Sequence, residues 1–557
     1  MTGAGVPGSG SSPRADIAFV NGRVATMSST APCTDALATA GHRVLALGEQ
    51  DVRERLAPTT EVVDLRGRLL LPGFQDAHAH PLHGGIERLR CDLGGSADAA
   101  ECLRRVGRHV PDHDANGSWI LGGGWEMGLF PGGTPGRSAL DAVTGDRPAY
   151  LLNRDHHAAW VNTAALRLAG VDGTTPDPPG GRIERDERGE PAGTLHERAA
   201  DLVAAALPST SDAEARAALL EGQRHLRARG ITTWHDAILG EYLGYPDPLP
   251  LYRALAAEGA LTGTVRGALW WDPDRGAEQV EQLLQRARSA RGELFRADAV
   301  KIMVDGVCES RTASMLRPYL GAPHLGGRDR GVSFVDEHEL VRAVRELDAV
   351  GFQVHFHAVG DRAVRDALDA VAAARKSNGD NDLRHQIAHV QLVTAQDLPR
   401  FAELGVAVNM QLAWSVNDAD MTELTAPLLG ARRARNQYPF RSLRDTGALL
   451  AAGSDWPISE AEPLHAAHVA VNRREPGTDQ DAFLPEQGLT LAEFLTAATV
   501  GSARVNHLDG RSGSLEPGKD ADIAVLDRDP FRAPPEEIGS TRVDLTFCRG
   551  RLVHERR

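Results

Sequence analysis

Two histidines two residues apart, His78 and His80, close the apolar run LLLPGFQDAHAH, which a Pro-Gly step interrupts. Residues i and i+2 of a strand share a face, so both imidazoles can converge on one metal ion. With 21 histidines in the chain, such a spacing also arises by chance, and a pair of structural histidines is the alternative. The spacing returns in GFQVHFHAVGD as His355 and His357, and LRHQIAHV ends on His389. Each stands near the end of an apolar run where a second metal can be held, although His355 reads equally as a core histidine or as one that supports a ligand. Asp455, in LLAAGSDWP, is placed to touch a metal and take a proton from bound water, or else to cap a helix or serve an ordinary turn.

Of the 61 basic residues only three are lysines, Lys301, Lys376 and Lys519, so each lysine needs a reason. Lys301 lies in ADAVKIMVDG, where an unpaired buried ammonium would be costly. A lysine amine can lose its proton on burial, and the neutral amine can add carbon dioxide, which a guanidinium does not readily do. The product is a carbamate whose two oxygens can bridge two cations; a buried ion pair with a carboxylate is the other reading. His235, Asp236 and Asp305 also end apolar runs, but without a partner pattern they read as supporting or structural. His156 and His157, near Trp160 and Asn162, suit a pocket better than a metal. Trp125, Trp160 and Trp456 could line an apolar pocket, though aromatics of an inserted lobe more often form its own core. His355 and Arg311 are candidate donors to an oxyanion.

Side chains so far apart in sequence need a frame. Eight apolar, β-rich runs (LLLPGFQDAHAH, GITTWHDA, TVRGALWW, ADAVKIMVDG, GFQVHFHAVGD, LRHQIAHV, GVAVNMQ and ALLAAGSDW) alternate with stretches of helical period, the signature of an α/β chain with a (β/α)8 TIM-like barrel. The ionisable residues sit at the carboxyl ends of these runs, where barrels do chemistry. Short runs near both termini, ADIAFVNGRVATM and TRVDLTFCRGRLVHE among them, are expected to pair into one composite β-sandwich. We expect a disordered tail over 1–15, the sandwich over 16–70 and 510–557, and the barrel over 71–509. A β-rich insertion after the first barrel strand, about 90–225, is expected to cover its mouth.

Composition narrows the function. At 557 residues and 42% hydrophobic content, the chain exceeds one ordinary core, and no run approaches the roughly 18 apolar residues of a membrane span. A net charge of -15 disfavours nucleic acid. The opening MTGAGVPGSGSSPRAD has no basic start followed by an apolar stretch, so a cytoplasmic protein is expected. Five scattered cysteines without a Cys-x-x-Cys pair argue against disulfides or a thiolate zinc site.

The motifs LPGFQDAHAH, DHHAAWVN, GITTWHDA, VKIMVDG with RTASMLRPY, HAVGD, RHQIAH, LLAAGSDWP and GSLEPGKDADIAVLD together resemble the amidohydrolase superfamily. Within it they resemble the amidohydrolase-3 group, to which N-substituted formamide deformylase belongs. The resemblance runs nearly the full length and implies a barrel with a composite sandwich and a binuclear, zinc-type centre. On that pattern His78 and His80 hold one metal, N6-carboxylated Lys301 bridges both, His357 and His389 hold the second, and Asp455 binds metal and shuttles protons; Lys519 falls in a structural turn. Gln75 stands where an aliphatic residue is usual and His156 where glycine is common, so the pocket mouth is expected to differ from that of relatives. The implied reaction is hydrolysis of a non-peptide C–N bond in a small molecule, an amide or N-substituted formamide, by a metal-activated hydroxide. A deaminase, lactamase, ester or carbamate hydrolase is the alternative, and a non-catalytic binding protein the remote one. Trp125, His157, Arg311 and Trp456 are the candidate substrate contacts, and a homodimer is the commonest assembly for such a chain.

Overall fold

The computed structural model describes residues 13–109, 119–321 and 328–556. Eight parallel strands form the central sheet: β1 Phe74–Ala79, β2 Ile231–Leu239, β3 Thr264–Trp270, β4 Phe295–Met303, β5 Gln353–Ala358, β6 Gln386–His389, β7 Ala407–Met410 and β8 Leu450–Ala452. They are hydrogen-bonded in sequence order. The ring closes just beyond β8, where Asp455 N–H donates to His78 O at 2.7 Å and His80 N–H donates to Trp456 O at 2.7 Å. β1, β2 and β5 are buried at every position. Strands covered on both faces need no polar alternation, which is why these runs read as continuous apolar stretches.

Helices cover the outside. Asp361–Asn378 buries Ala363, Val364, Ala367, Leu368, Val371 and Ala374, a stripe of helical period. Pro81–Leu89, which directly follows His80, crosses Asp212–Arg227 at two glycines. A Cβ on Gly85 would lie 1.9 Å from Ala218 O, and one on Gly222 would lie 2.2 Å from Pro81 O, so backbone meets backbone there.

The run LLLPGFQDAHAH is divided between two sheets. Leu69–Pro72 pairs with Arg23–Ala25 and with Ile523–Leu526 in a six-stranded sheet built from both ends of the chain. Gly73 then turns the chain into β1, and a side chain there would strike Thr232 at 2.3 Å. A four-stranded sheet, Ile17–Val20 with Leu37–Ala40, Arg43–Leu47 and Glu61–Asp64, packs over the first. Phe19, Leu37 and Val44 share one core with Leu70, Ile523 and Phe547, which makes the pair of sheets a composite sandwich.

The excursion after β1 is a second six-stranded sheet, running from Cys91–Asp92 to Pro191–Glu197. Its own core contains Trp125, Phe130, Leu140, Leu151 and Trp160. Helix Asp212–Arg227, placed by the sequence inside the insertion, instead packs on the barrel helix Pro81–Leu89. Of the expected tail, residues 1–12 lie outside the described residues, while Ala15 is already buried and donates to Arg55 O at 2.9 Å. Among the described residues no helix is long and apolar enough to cross a membrane.

Candidate metal centre

The carboxyl ends of β1, β4, β5, β6 and the segment after β8 bring His78, His80, Lys301, His357, His389 and Asp455 around one pocket. His80 Nε2 is 3.0 Å and His78 Nε2 is 3.3 Å from Asp455 Oδ1, and His389 Nδ1 is 3.8 Å from Asp455 Oδ2. Lys301 Nζ lies 3.4 Å from His78 Nε2. Donor atoms of His78, His389 and Asp455 all fall within 4.8 Å of one another. His357 Nε2 faces Gly306 O at 3.2 Å and Asp305 at 3.9 Å.

Backbone geometry serves this convergence. His389 and Asp455 both adopt left-handed φ, 75° and 59°, an uncommon conformation that tends to be held where function requires it. Gln411 accepts the His389 backbone N–H at 2.7 Å, and Trp414 stacks flat on its ring at 5.0 Å. Asp76 accepts from the backbone N–H of His78 at 3.1 Å and of Ser454 at 2.9 Å, tying β1 to the turn that carries Asp455.

Burial dominates the electrostatics. It holds His78, His355, His357 and His389 well below the usual imidazole range, helped by neighbouring histidines and Lys301; neutral imidazole is the form that ligates a cation. Lys301, 2% exposed, is pushed by burial down to about 7. Burial would raise Asp455, but the His80 hydrogen bond and the charges of His389, His80 and Lys301 outweigh it, and its carboxyl stays below the ordinary value. Both ring nitrogens of His389 and Nδ1 of His80 are buried without a hydrogen-bond partner. Orphaned imidazole nitrogens beside a carboxylate and a deprotonatable amine fit divalent cations, since such groups are otherwise costly to bury.

Several candidates lie elsewhere. His355 does not reach the pocket: Nε2 meets His78 Nδ1 at 2.9 Å and Nδ1 meets His235 Nε2 at 3.4 Å, so it stands behind His78 and is no oxyanion donor. Trp125 donates to Leu151 O at 2.9 Å inside the insertion's core. Trp456 stacks on His225 at 4.3 Å and lies against Gly84, facing the helices instead of the pocket. Arg311 is engaged by Asp329 at 3.6 Å and does not line the pocket around Asp455. His157 does line the metal pocket; its ring is 5.5 Å from that of His357, and its Nδ1 is 2.8 Å from Glu197. Burial opposes its charge, but the Glu197 carboxylate overcomes this and lifts it to about 9.

Sequence reasoning missed His83, Tyr242, Met303, Trp414 and Glu197. Only His83 carried a signal, three residues beyond His80 at the start of a helix; its ring stacks between His80 at 5.3 Å and Tyr245 at 4.2 Å. His156, Tyr242 and Met303 are shared with a neighbouring cavity of about 730 Å³ between barrel and insertion, which Trp270, Trp271 and Phe334 also line.

A parallel barrel that gathers histidines, a lysine and an aspartate at its carboxyl mouth, with a substrate-sized cavity alongside, defines a hydrolase of the metal-dependent kind. This chain belongs to the amidohydrolase family, whose model matches residues 61–554. It is 32% identical over 549 residues to Protein LONG AFTER FAR-RED 3 of Arabidopsis thaliana, covering 97% of this chain and 92% of that protein. It is 29% identical over 561 residues to N-substituted formamide deformylase of Arthrobacter pascens, covering 97% and 98%. A solved structure of an uncharacterized metal-dependent hydrolase from Pyrococcus horikoshii OT3 superposes with a TM-score of 0.71 at 26% identity, covering 93% of this chain and 99% of that one.

Proposed function

We propose that this hydrolase cleaves the carbon–nitrogen bond of a small non-peptide amide, an N-substituted formamide or similar N-acyl amine, with two divalent cations, zinc foremost. The observation that carries the reading is the pair of orphaned ring nitrogens on His389, one of them 3.8 Å from the Asp455 carboxylate that His78 Nε2 and His80 Nε2 also meet. His78 and His80 would hold one cation, His357 and His389 the other, with Asp455 as a further ligand. Lys301 would bridge them as a carbamate: neutral Nζ forms a bond to the carbon of carbon dioxide, a proton leaves, and the negative charge spreads over two oxygens. The cations supply Lewis acidity, lowering the pKa of water and polarising a carbonyl. Asp455, ionised and at the centre, accepts the proton that the attacking water gives up and delivers it to the departing amine nitrogen. The formamide assignment draws on the deformylase similarity and on a cavity whose Tyr242, Trp270 and Phe334 suit an apolar N-substituent.

The test is a mass-spectrometric screen of N-formyl and N-acyl amines, lactams, carbamates and aminated heterocycles with zinc-loaded and chelated protein, and with Lys301→Ala and Asp455→Asn. We expect an amide split into acid and amine by the loaded protein alone, and turnover at least about a hundredfold lower in either variant. Release of ammonia from an intact skeleton would make the protein a deaminase instead.

A further inference from the structure

Behind His78 run two further imidazoles, His355 and His235, ending on an amide. His78 Nδ1 is 2.9 Å from His355 Nε2, His355 Nδ1 is 3.4 Å from His235 Nε2, and His235 Nδ1 is 2.7 Å from Asn506 Oδ1. The rings meet edge to face at 4.7 Å and 4.8 Å. All four residues are buried, the most accessible of the row behind His78 being Asn506 at 3% exposed, so solvent does not compete for these bonds. Asn506 is fixed at the end of helix Ser502–Val505, and its backbone oxygen accepts from Arg266 Nε at 3.3 Å. Its Oδ1 meets His235, and its Nδ2 is buried without a hydrogen-bond partner.

A neutral imidazole has one N–H and one lone pair, so the direction of one bond in such a row fixes all the others. The amide oxygen only accepts. His235 therefore carries its proton on Nδ1, and its Nε2 accepts from His355 Nδ1–H. His355 Nε2 in turn accepts from His78 Nδ1–H. That leaves the lone pair of His78 on Nε2, the atom facing Lys301 Nζ at 3.4 Å and Asp455 Oδ1 at 3.3 Å. With the amide turned round, every bond would reverse and Nε2 would bear a hydrogen, closed to any cation.

We propose that Asn506 is a positioning residue that sets the tautomer of His78 through His235 and His355 and so keeps His78 Nε2 open as a metal ligand. The inference rests on the metal-centre reading above. Groups that hold the far nitrogen of a metal-bound histidine typically change affinity about 10- to 100-fold when lost.

Two measurements test it. Histidine ring 15N–1H spectra of the metal-free protein, with peaks assigned through His235→Phe and His355→Phe, should show His78, His235 and His355 all as neutral Nδ1–H forms. In Asn506→Leu, His355 and His78 should become mixtures of the two tautomers. Zinc affinity, read by competition with a chromophoric chelator, should fall about tenfold or more in Asn506→Leu while the melting temperature of the metal-free protein holds. An Nε2–H form of His355 in the unaltered protein would overturn the inference, and this reading stands even where Asn506→Leu does not fold. Unchanged zinc affinity in a folded Asn506→Leu would overturn it too. Failure of the unaltered protein to bind zinc would instead sink the metal-centre reading, leaving the tautomer spectra to decide the hydrogen-bond row alone.

Discussion

Lys301 is an amine whose surroundings oppose its usual charge. Burial brings its ammonium from 10.5 down to about 7. In the unfolded chain it is protonated up to its ordinary value, so between about 7 and 10.5 the unfolded state holds a proton that the folded state does not. The cost to the metal-free fold is thus full below pH 7, shrinks as pH rises through that window and is gone above it. Lys301→Met, similar in volume and uncharged, should be more stable than the parent by on the order of 3 kcal/mol near neutral pH, both free of metal and carbon dioxide. Urea unfolding should show the difference closing toward about pH 10; parallel pH profiles would mean that the amine is not desolvated. Lys301 was legible because lysine is rare in this chain, and His78, His80, His357, His389 and Asp455 because strand ends collect them. Asn506 and Glu197 were not legible. The contact between His235 and Asn506 spans 271 residues, and nothing local marks an asparagine after a helix as the anchor of a distant imidazole.

At the level of elements, all eight barrel runs were visible because strands buried on both faces leave unbroken apolar stretches. Their division was not. The Pro-Gly step in LLLPGFQDAHAH marks a break but not its meaning: Leu69–Pro72 joins the sandwich and Phe74–Ala79 the barrel, a partition in which strand Ile523–Leu526 from the far end of the chain takes the first half and β2 the second. Helix Asp212–Arg227 was misplaced for a related reason: its buried face is matched to a helix more than a hundred residues earlier, through glycines whose value lies in having no side chain. Gly222→Ala tests that contact. Its Cβ would be 2.2 Å from Pro81 O, and overpacking of this kind costs about 1–3 kcal/mol. Since Pro81 follows His80 directly, zinc occupancy should fall along with stability. Gly510→Ala, which meets nothing within 4 Å, should leave both within measurement error. Equal behaviour of the two variants would show that the helix crossing is not held by close backbone approach.

For the molecule as a whole, the net charge of -15 served first to set nucleic acid aside, and the same balance recurs inside the cavity beside the metal pocket. Glu197, Asp201, Glu241, Asp247, Asp272 and Asp274 line it against only Arg198, Arg275 and Arg286. Two of those arginines are already engaged, Arg198 by Asp274 at 2.6 Å and Arg286 by Asp247 at 2.7 Å. No sequence pattern announced this, because the residues come from the insertion, from the barrel loops after β2 and β3, and from the segment near Phe334, which only the closed fold brings together. A pocket with an excess of one sign of charge raises the local concentration of the opposite sign and repels its own. Of two amides with the same apolar body, the one bearing an ammonium on its N-substituent should therefore be turned over with a kcat/KM about tenfold above that of the carboxylate-bearing analogue at low salt. Steering by exposed charge is screened with a Debye length of about 8 Å near physiological ionic strength, so the preference should shrink as salt is added. The part that survives measures direct pairing with Asp201, Glu241 or Asp272, and Asp272→Asn should reduce that remainder if the ammonium sits beside Trp271. A carboxylate-bearing amide that matched or exceeded its ammonium counterpart at low salt would show that substrate enters by another face of the barrel mouth.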